Sequence, residues 1–147
     1  MLPSTASAPL AHFLKNELFL SPSYVVDASC INSQQVVTFA RAQDSLLAFY
    51  IYYFFFLKKR VIFLFPKVKQ INSIDSVYPS ACWLEREFSE MFGAYITNKI
   101  DARNLLLDYS LNENPLLKAY PSVGLREVHY SLLAESVVYS SSAIVEL

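Results

Sequence analysis

Pro79-Ser80-Ala81-Cys82-Trp83-Leu84-Glu85-Arg86-Glu87-Phe88-Ser89-Glu90-Met91-Phe92-Gly93 is the stretch on which the reading of this chain turns. Ser80 is a residue type that caps a helix by accepting a bond from a free first-turn amide. Gly93 is one of only two glycines and stands where a helix needs a left-handed residue after its last turn. At about 100° per residue, Leu84, Phe88, Met91 and Phe92 share one broad face with Trp83 at its edge. Arg86, Ser89 and Glu90 point the other way. On this wheel Glu87 falls inside the apolar arc, between Trp83 and Met91, and Glu85 lies at the far border beside Phe92. A carboxylate inside an apolar arc must be paired and hydrogen-bonded. The arc therefore predicts a buried Glu87 with a cationic partner, Arg103 first and Lys118 second. Glu85 and Glu87 diverge by about 200° and form no acid–base pair. A structural ion pair is the expectation over catalysis.

Downstream the composition changes. Residues 94–127 carry Pro115, Pro121 and several asparagines without sustained period. Leu105-Leu106-Leu107 can make one helical turn, and the remainder reads as extended. A stretch of this length without regular structure is commonly functional or bound to something else. Residues 127–130 and 136–145 read as a terminal hairpin.

Upstream, residues 1–9 read as an unstructured arm. Leu10, Phe13, Leu14 and Leu18 have helical spacing, so a short helix over 10–19, entered through Pro9, is expected. Residues 24–28 read as a strand, and 31–45 as a polar connection with a further strand at 36–40. The apolar run over 46–57 is 12 residues long and ends in Lys58-Lys59-Arg60, short of the roughly 20 residues needed to span a bilayer. Its aromatic and β-branched content favours a strand, turning at Lys58-Lys59 into a second strand over 61–65. Strands apolar on successive residues are expected to be covered on both faces. Residues 67–78 lead into the helix. Two domains follow as an expectation: an α+β unit over 1–93, and an extended arm with a terminal hairpin over 94–147 that docks on partners.

Composition narrows the function classes. The chain of 147 residues fits one core, with 54% apolar residues, 15% aromatics, and a net charge of −1. That much apolar surface with little charge repulsion suits a subunit with partners. The balance supplies no basic field for nucleic acid. Cys30 and Cys82 lack metal-ligand spacing, and two thiolates cannot make a four-thiolate iron–sulfur site. They read as buried free thiols. His12 and His129 are isolated. No glycine-rich phosphate loop, nucleophile–base constellation or metal cluster is present in the sequence. Residues 1–8 lack lysine, arginine and a long apolar core, and so read as neither signal nor transit peptide.

The central stretch also carries a resemblance. Glu85-Arg86-Glu87, two residues, then Glu90-Met91-Phe92-Gly93 resembles the NADH dehydrogenase subunit 9 family of respiratory complex I. Lys99 stands at that family's His/Lys position, followed by Asp101, Arg103, Leu105-Leu106 and Asp108-Tyr109. Residues 114–121, with Pro115, Lys118 and Pro121, resemble its His-Pro-Leu-Arg-Lys-Asp-Phe-Pro, and Gly124, Glu127, Val128 and Tyr130 close the match. Asn104, Ser110, Leu117 and Ala119 depart from the pattern. Relative to the family, a preceding helix and strand and a longer acidic-aromatic tail are expected to be missing.

The resemblance implies an α+β fold, a small mostly antiparallel sheet flanked by helices with an extended C-terminal arm. It implies a non-catalytic core subunit of proton-pumping NADH:ubiquinone oxidoreductase, in the hydrophilic arm near the quinone-reducing module. Such a chain would bind no cofactor itself, the FMN, iron–sulfur clusters and ubiquinone belonging to other subunits. Its partner would be chiefly the large quinone-site subunit, in a hetero-oligomer on the matrix-facing side of the mitochondrial inner membrane. It would have no span of its own, and the absence of a presequence would suit synthesis inside the organelle. The implied interface and structural residues are those of the match, with Trp83. Two other readings stand beside it: an independent adaptor binding partners at its sheet edge, and a small hydrolase using Glu87 or Glu90, which would need an accessible cleft.

Overall fold

Alternation along one aromatic strand builds the core. The computed structural model describes residues 6–17, 23–32, 46–65, 70–121, 124 and 126–141. In β2 (Leu46–Phe54), Ala48, Tyr50, Tyr52 and Phe54 are buried while Phe49, Ile51 and Tyr53 face the other way. This strand is the centre of an antiparallel sheet between β1 (Ser23–Asn32) and β3 (Lys59–Phe65). The β1 register slips between Val25 and Asp27. That extra residue lets Val25, Ala28 and Cys30 all face the core and turns Asp27 out of it. Rings pack edge-to-face across the inner side, Tyr50 against Phe65 at 5.8 Å and Tyr52 against Phe63 at 5.5 Å.

The predicted hairpin over 46–65 is present, with two corrections. The turn is 55–58 rather than Lys58-Lys59, because Phe54 pairs with Lys59 and Lys58 takes a left-handed backbone, φ 48°. The hairpin is covered on one face, not two. Ile62 and Leu64 are exposed on β3 opposite Ile51 and Phe49, since both helices contribute to the single core on the inner side.

α1 (Ser7–Asn16) starts three residues earlier than the predicted 10–19 helix. Residues 7–9 are thus helical rather than arm. Pro9 still falls in the first turn, where its missing N–H costs nothing. Ala11 and Leu14 enter the core, the Lys15 ammonium donates to the Val77 carbonyl over the Tyr78 ring, and Phe13 is exposed.

The lead-in segment contains a short strand that period analysis could not reach. β4 (Gln70–Asn72) pairs in parallel with β5 (Tyr95–Thr97), and α2 (Ala81–Phe92) is the crossover between them. Ile71 and Ile96 are buried at the pairing. From Asn98 to Pro121 the chain is irregular, with bends at Leu105-Leu106-Leu107 in place of a helical turn. β6 (Arg126–Ser131) and β7 (Ser136–Ser141) form the expected terminal hairpin. The α+β class with a mostly antiparallel strand set holds. The predicted strand at 36–40, and the ends of the chain at 1–5 and 142–147, lie outside the described residues.

Candidate functional site

α2 is a helix with work on both faces. It runs from Ser80 to a left-handed Gly93, φ 67°, as its terminal residues require. The Ser80 hydroxyl makes no capping bond and reaches the Val25 carbonyl at 3.5 Å instead.

The inner face holds Glu85, not Glu87. Glu85 is 0% exposed, with Ala81 and Phe88 buried beside it and Leu84 and Phe92 packed at the flanks. Its carboxylate accepts the Ser73 hydroxyl at 2.6 Å, the Ile74 amide at 2.9 Å and the Tyr50 hydroxyl at 3.3 Å. The Lys99 ammonium lies 3.0 Å away, its side chain 2% exposed, and also faces Asp75 at 3.7 Å. Two carboxylates thus share one cation, and neutral donors take up the remaining charge. The Tyr50 phenol is pushed well above its ordinary value, first by burial and then by Glu85, so it stays a donor.

Glu87 is exposed, and Arg103 pairs with Asp101 rather than with it. The predicted arc is rotated from the observed one by roughly 60° at the helix's 3.6 residues per turn, because it includes Trp83 and Met91 in the core. Trp83 is 61% exposed and carries the Arg86 guanidinium 5.4 Å from its ring centre.

The outer face grips the arm. Arg86 Nε donates to the Arg103 carbonyl at 2.8 Å and Nη2 to the Asn104 carbonyl at 2.9 Å, with Asp101 at 3.5 Å. One turn on, Glu90 accepts the Leu105 and Leu106 amides, both at 2.8 Å, and faces the Leu107 amide at 3.5 Å. A cation on two carbonyls and an anion on the following amides hold 103–107 by its backbone alone. Asp101 takes Arg103 at 2.8 and 2.9 Å, which holds its carboxyl well below the ordinary range, though the arginine is open to solvent and the aspartate only half-buried. The Leu116 amide donates to the Met91 carbonyl at 3.1 Å, and a Cβ on Gly93 would come within 2.7 Å of Asn114 Nδ2. This grip fastens the middle of the arm to the helix of its own chain.

The other matched residues lie farther along. The Asp108 carboxylate accepts the Tyr139 hydroxyl at 2.6 Å and so ties the terminal hairpin to the arm. Tyr109, Lys118 and Glu127 are exposed, Pro115 and Pro121 are half-buried, and Gly124 has a left-handed φ of 80°. Sequence reasoning does not reach Ser73, Asp75 or Tyr50. The only signal for them is Glu85's place beside Phe92 on the wheel.

Chemically, Glu85, Arg86 and Glu90 of α2 are committed within the chain. A cavity of about 370 Å³ opens between helix and arm, with Glu90, Arg103, Asn104 and Glu113 among its walls. Glu87 lines neither this cavity nor the neighbouring one of about 220 Å³. Burial pushes the Cys30 thiol up to about 12. Among the described residues no three His, Cys, Asp or Glu are grouped to hold a metal ion, and no helix is long and apolar enough to cross a membrane.

Comparison with known proteins bears on this helix and arm directly. A family model described as respiratory-chain NADH dehydrogenase, 30 Kd subunit, matches residues 1–125, which include all of α2 and the arm it holds. NADH-ubiquinone oxidoreductase subunit 9 of Paramecium primaurelia is 41% identical over 154 residues, covering 100% of this chain and 73% of that protein. The subunit 9 of Paramecium tetraurelia is 40% identical over the same shares. An NADH-quinone oxidoreductase subunit of Cereibacter sphaeroides is 41% identical over 76 residues, 52% of this chain and 38% of that protein.

Proposed function

The chain belongs to the family of the respiratory-chain NADH dehydrogenase 30 Kd subunit, and from that premise we propose that it is a non-catalytic core subunit of proton-pumping NADH:ubiquinone oxidoreductase. Its work is positional. It braces neighbouring subunits of the hydrophilic arm near the quinone-reducing module, chiefly the large quinone-site subunit, on the matrix side of the mitochondrial inner membrane. FMN, the iron–sulfur clusters and ubiquinone are held by other subunits. The cysteine count supports this, since a cluster asks for about four thiolates and the chain has two cysteines.

One observation carries the reading. The β6–β7 hairpin presents Val128, Tyr130, Val137 and Tyr139 on one face, paired directly across the ladder and all exposed, with Leu132 and Leu133 exposed at its turn. A two-stranded hairpin is marginal alone in water, and an apolar face of this kind gains stability when a neighbour covers it. Tyr139 to Asp108 fixes the hairpin to the arm that α2 holds. The helix thereby sets where the hairpin meets a partner.

Size-resolved native electrophoresis of the membrane fraction, probed for this chain, tests the assignment. The chain should migrate with the NADH-oxidising complex and with none at its own mass of 16.7 kDa. Migration alone, with a complex lacking it intact, would favour the independent adaptor.

A further inference from the structure

A second uncovered surface lies on the β2–β3 hairpin, away from the motif residues of α2 and the arm. Phe55, Phe56 and Leu57 are all exposed in the turn, Phe56 to 68%, with the two rings 6.3 Å apart. Lys58, Lys59 and Arg60 follow at once and are exposed too. No aspartate or glutamate occurs from Leu46 to Phe65, so the positive charge of this hairpin is unopposed along its own length. The apolar surface does not stop at the turn. Cross-strand pairs Ile51–Ile62 and Phe49–Leu64 continue it along the outer face, and Tyr53 packs on Tyr24 at 5.3 Å on the β1 side.

Both parts of this surface narrow the occupant. Three adjacent cations beside apolar rings call for an apolar surface edged by anions. A bilayer taking only the turn would leave Ile62 and Leu64 in water, about 13–20 Å back from Lys58 along a strand that rises roughly 3.3 Å per residue. A flat protein surface covers turn and sheet face together. We propose that the turn at 55–60 and the outer face of β2 and β3 dock on an apolar surface of another subunit, whose carboxylates pair with Lys58, Lys59 and Arg60. This rests on the chain being a subunit of the complex, and it adds a contact independent of the arm and terminal hairpin.

Zero-length carbodiimide coupling in the purified native complex tests it, since that reagent joins an amine only to a carboxylate already in contact. Peptide mass spectrometry should find Lys58 or Lys59 joined to an aspartate or glutamate of another subunit. Acylation of both amines by a water-soluble reagent should be about tenfold slower, or more, in the complex than in the urea-unfolded chain. Equal acylation rates in the two would overturn the proposal. So would labelling of residues 55–57 by a bilayer-dissolved photoreagent, which would make lipid the occupant. Co-migration on the native gel is scored separately, so a free turn on a co-migrating chain refutes this contact and leaves the subunit assignment standing.

Discussion

Glu85 on α2 and Lys99 after β5 meet at 3.0 Å, both withdrawn from solvent, and tie the helix of the β4–α2–β5 unit to the exit of its last strand. Removing one partner of a buried pair costs about 3–5 kcal/mol, because the other charge is left uncompensated. Lys99→Met should cost that much, since it strands Glu85 beside Asp75. Glu85→Gln should cost about 3 kcal/mol, the Ser73 and Ile74 bonds surviving in part. Together the two changes should cost less than their sum. Glu87→Gln, on the exposed side, should stay within about 0.5 kcal/mol. Urea unfolding of the full chain reads all four.

Glu90 is the anion that holds the arm's amides. Hydrogen bonds to a charged group are worth about 1.5–3 kcal/mol, so Glu90→Gln should speed amide exchange at Leu105 and Leu106 by roughly tenfold or more. Exchange within α2 should change little. Unchanged exchange at 105–107 would mean the arm is held by something other than this carboxylate.

Gly93 meets two demands at once, a left-handed backbone and room for Asn114. An L-residue in that conformation costs roughly 1–2 kcal/mol, and Gly93→Ala should also displace Asn114. In an Asn114→Gly background the same alanine should cost only the backbone part. A double-mutant cycle on unfolding midpoints separates the two contributions.

The Asp108–Tyr139 tether has a pH window. Tyr139's hydrogen bond lowers the Asp108 pKa, and the same bond raises that of Tyr139. Asp108's contribution is present above its unfolded value, near 3.9, and is lost as pH falls through the lowered folded one. Tyr139's is complete below its unfolded value, near 10, and is lost as pH rises through the raised folded one. In the assembled complex, hairpin exchange protection should therefore be flat through neutrality and fall at both extremes. Tyr139→Phe should remove the dependence at the alkaline end.

The helix limits were legible from Ser80 and Gly93, because glycine is scarce here and a left-handed end has few other occupants. The hairpin over 46–65 was legible because three cations interrupt an apolar run too short to span a bilayer. The phase of α2 was not. Hydropathy places Trp83 and Met91 with the core but cannot distinguish a residue facing its own core from one supporting an arginine or facing outward. That ambiguity moved the buried carboxylate from Glu85 to Glu87. The same ambiguity covered both faces of β2 and β3 in the reading, where one face is open. β4 and β5, with three residues each, are too short to show a period, so Ser73 and Asp75 beside them went unread. The motif positions on the arm were visible through resemblance. That Arg86 and Glu90 hold it by backbone groups was not, since carbonyls and amides leave no trace in side-chain identity.

Amide hydrogen exchange across residues 126–141, compared between the isolated chain and the assembled complex, tests most directly whether this subunit works by presenting its terminal hairpin to a neighbour. The arm at 103–107, held by α2, should be protected in both forms, and the hairpin only in the complex, with protection rising by about a hundredfold or more on assembly. Equal exchange of the hairpin in the two forms would contradict the account, because no neighbour would then be covering the surface on which it depends.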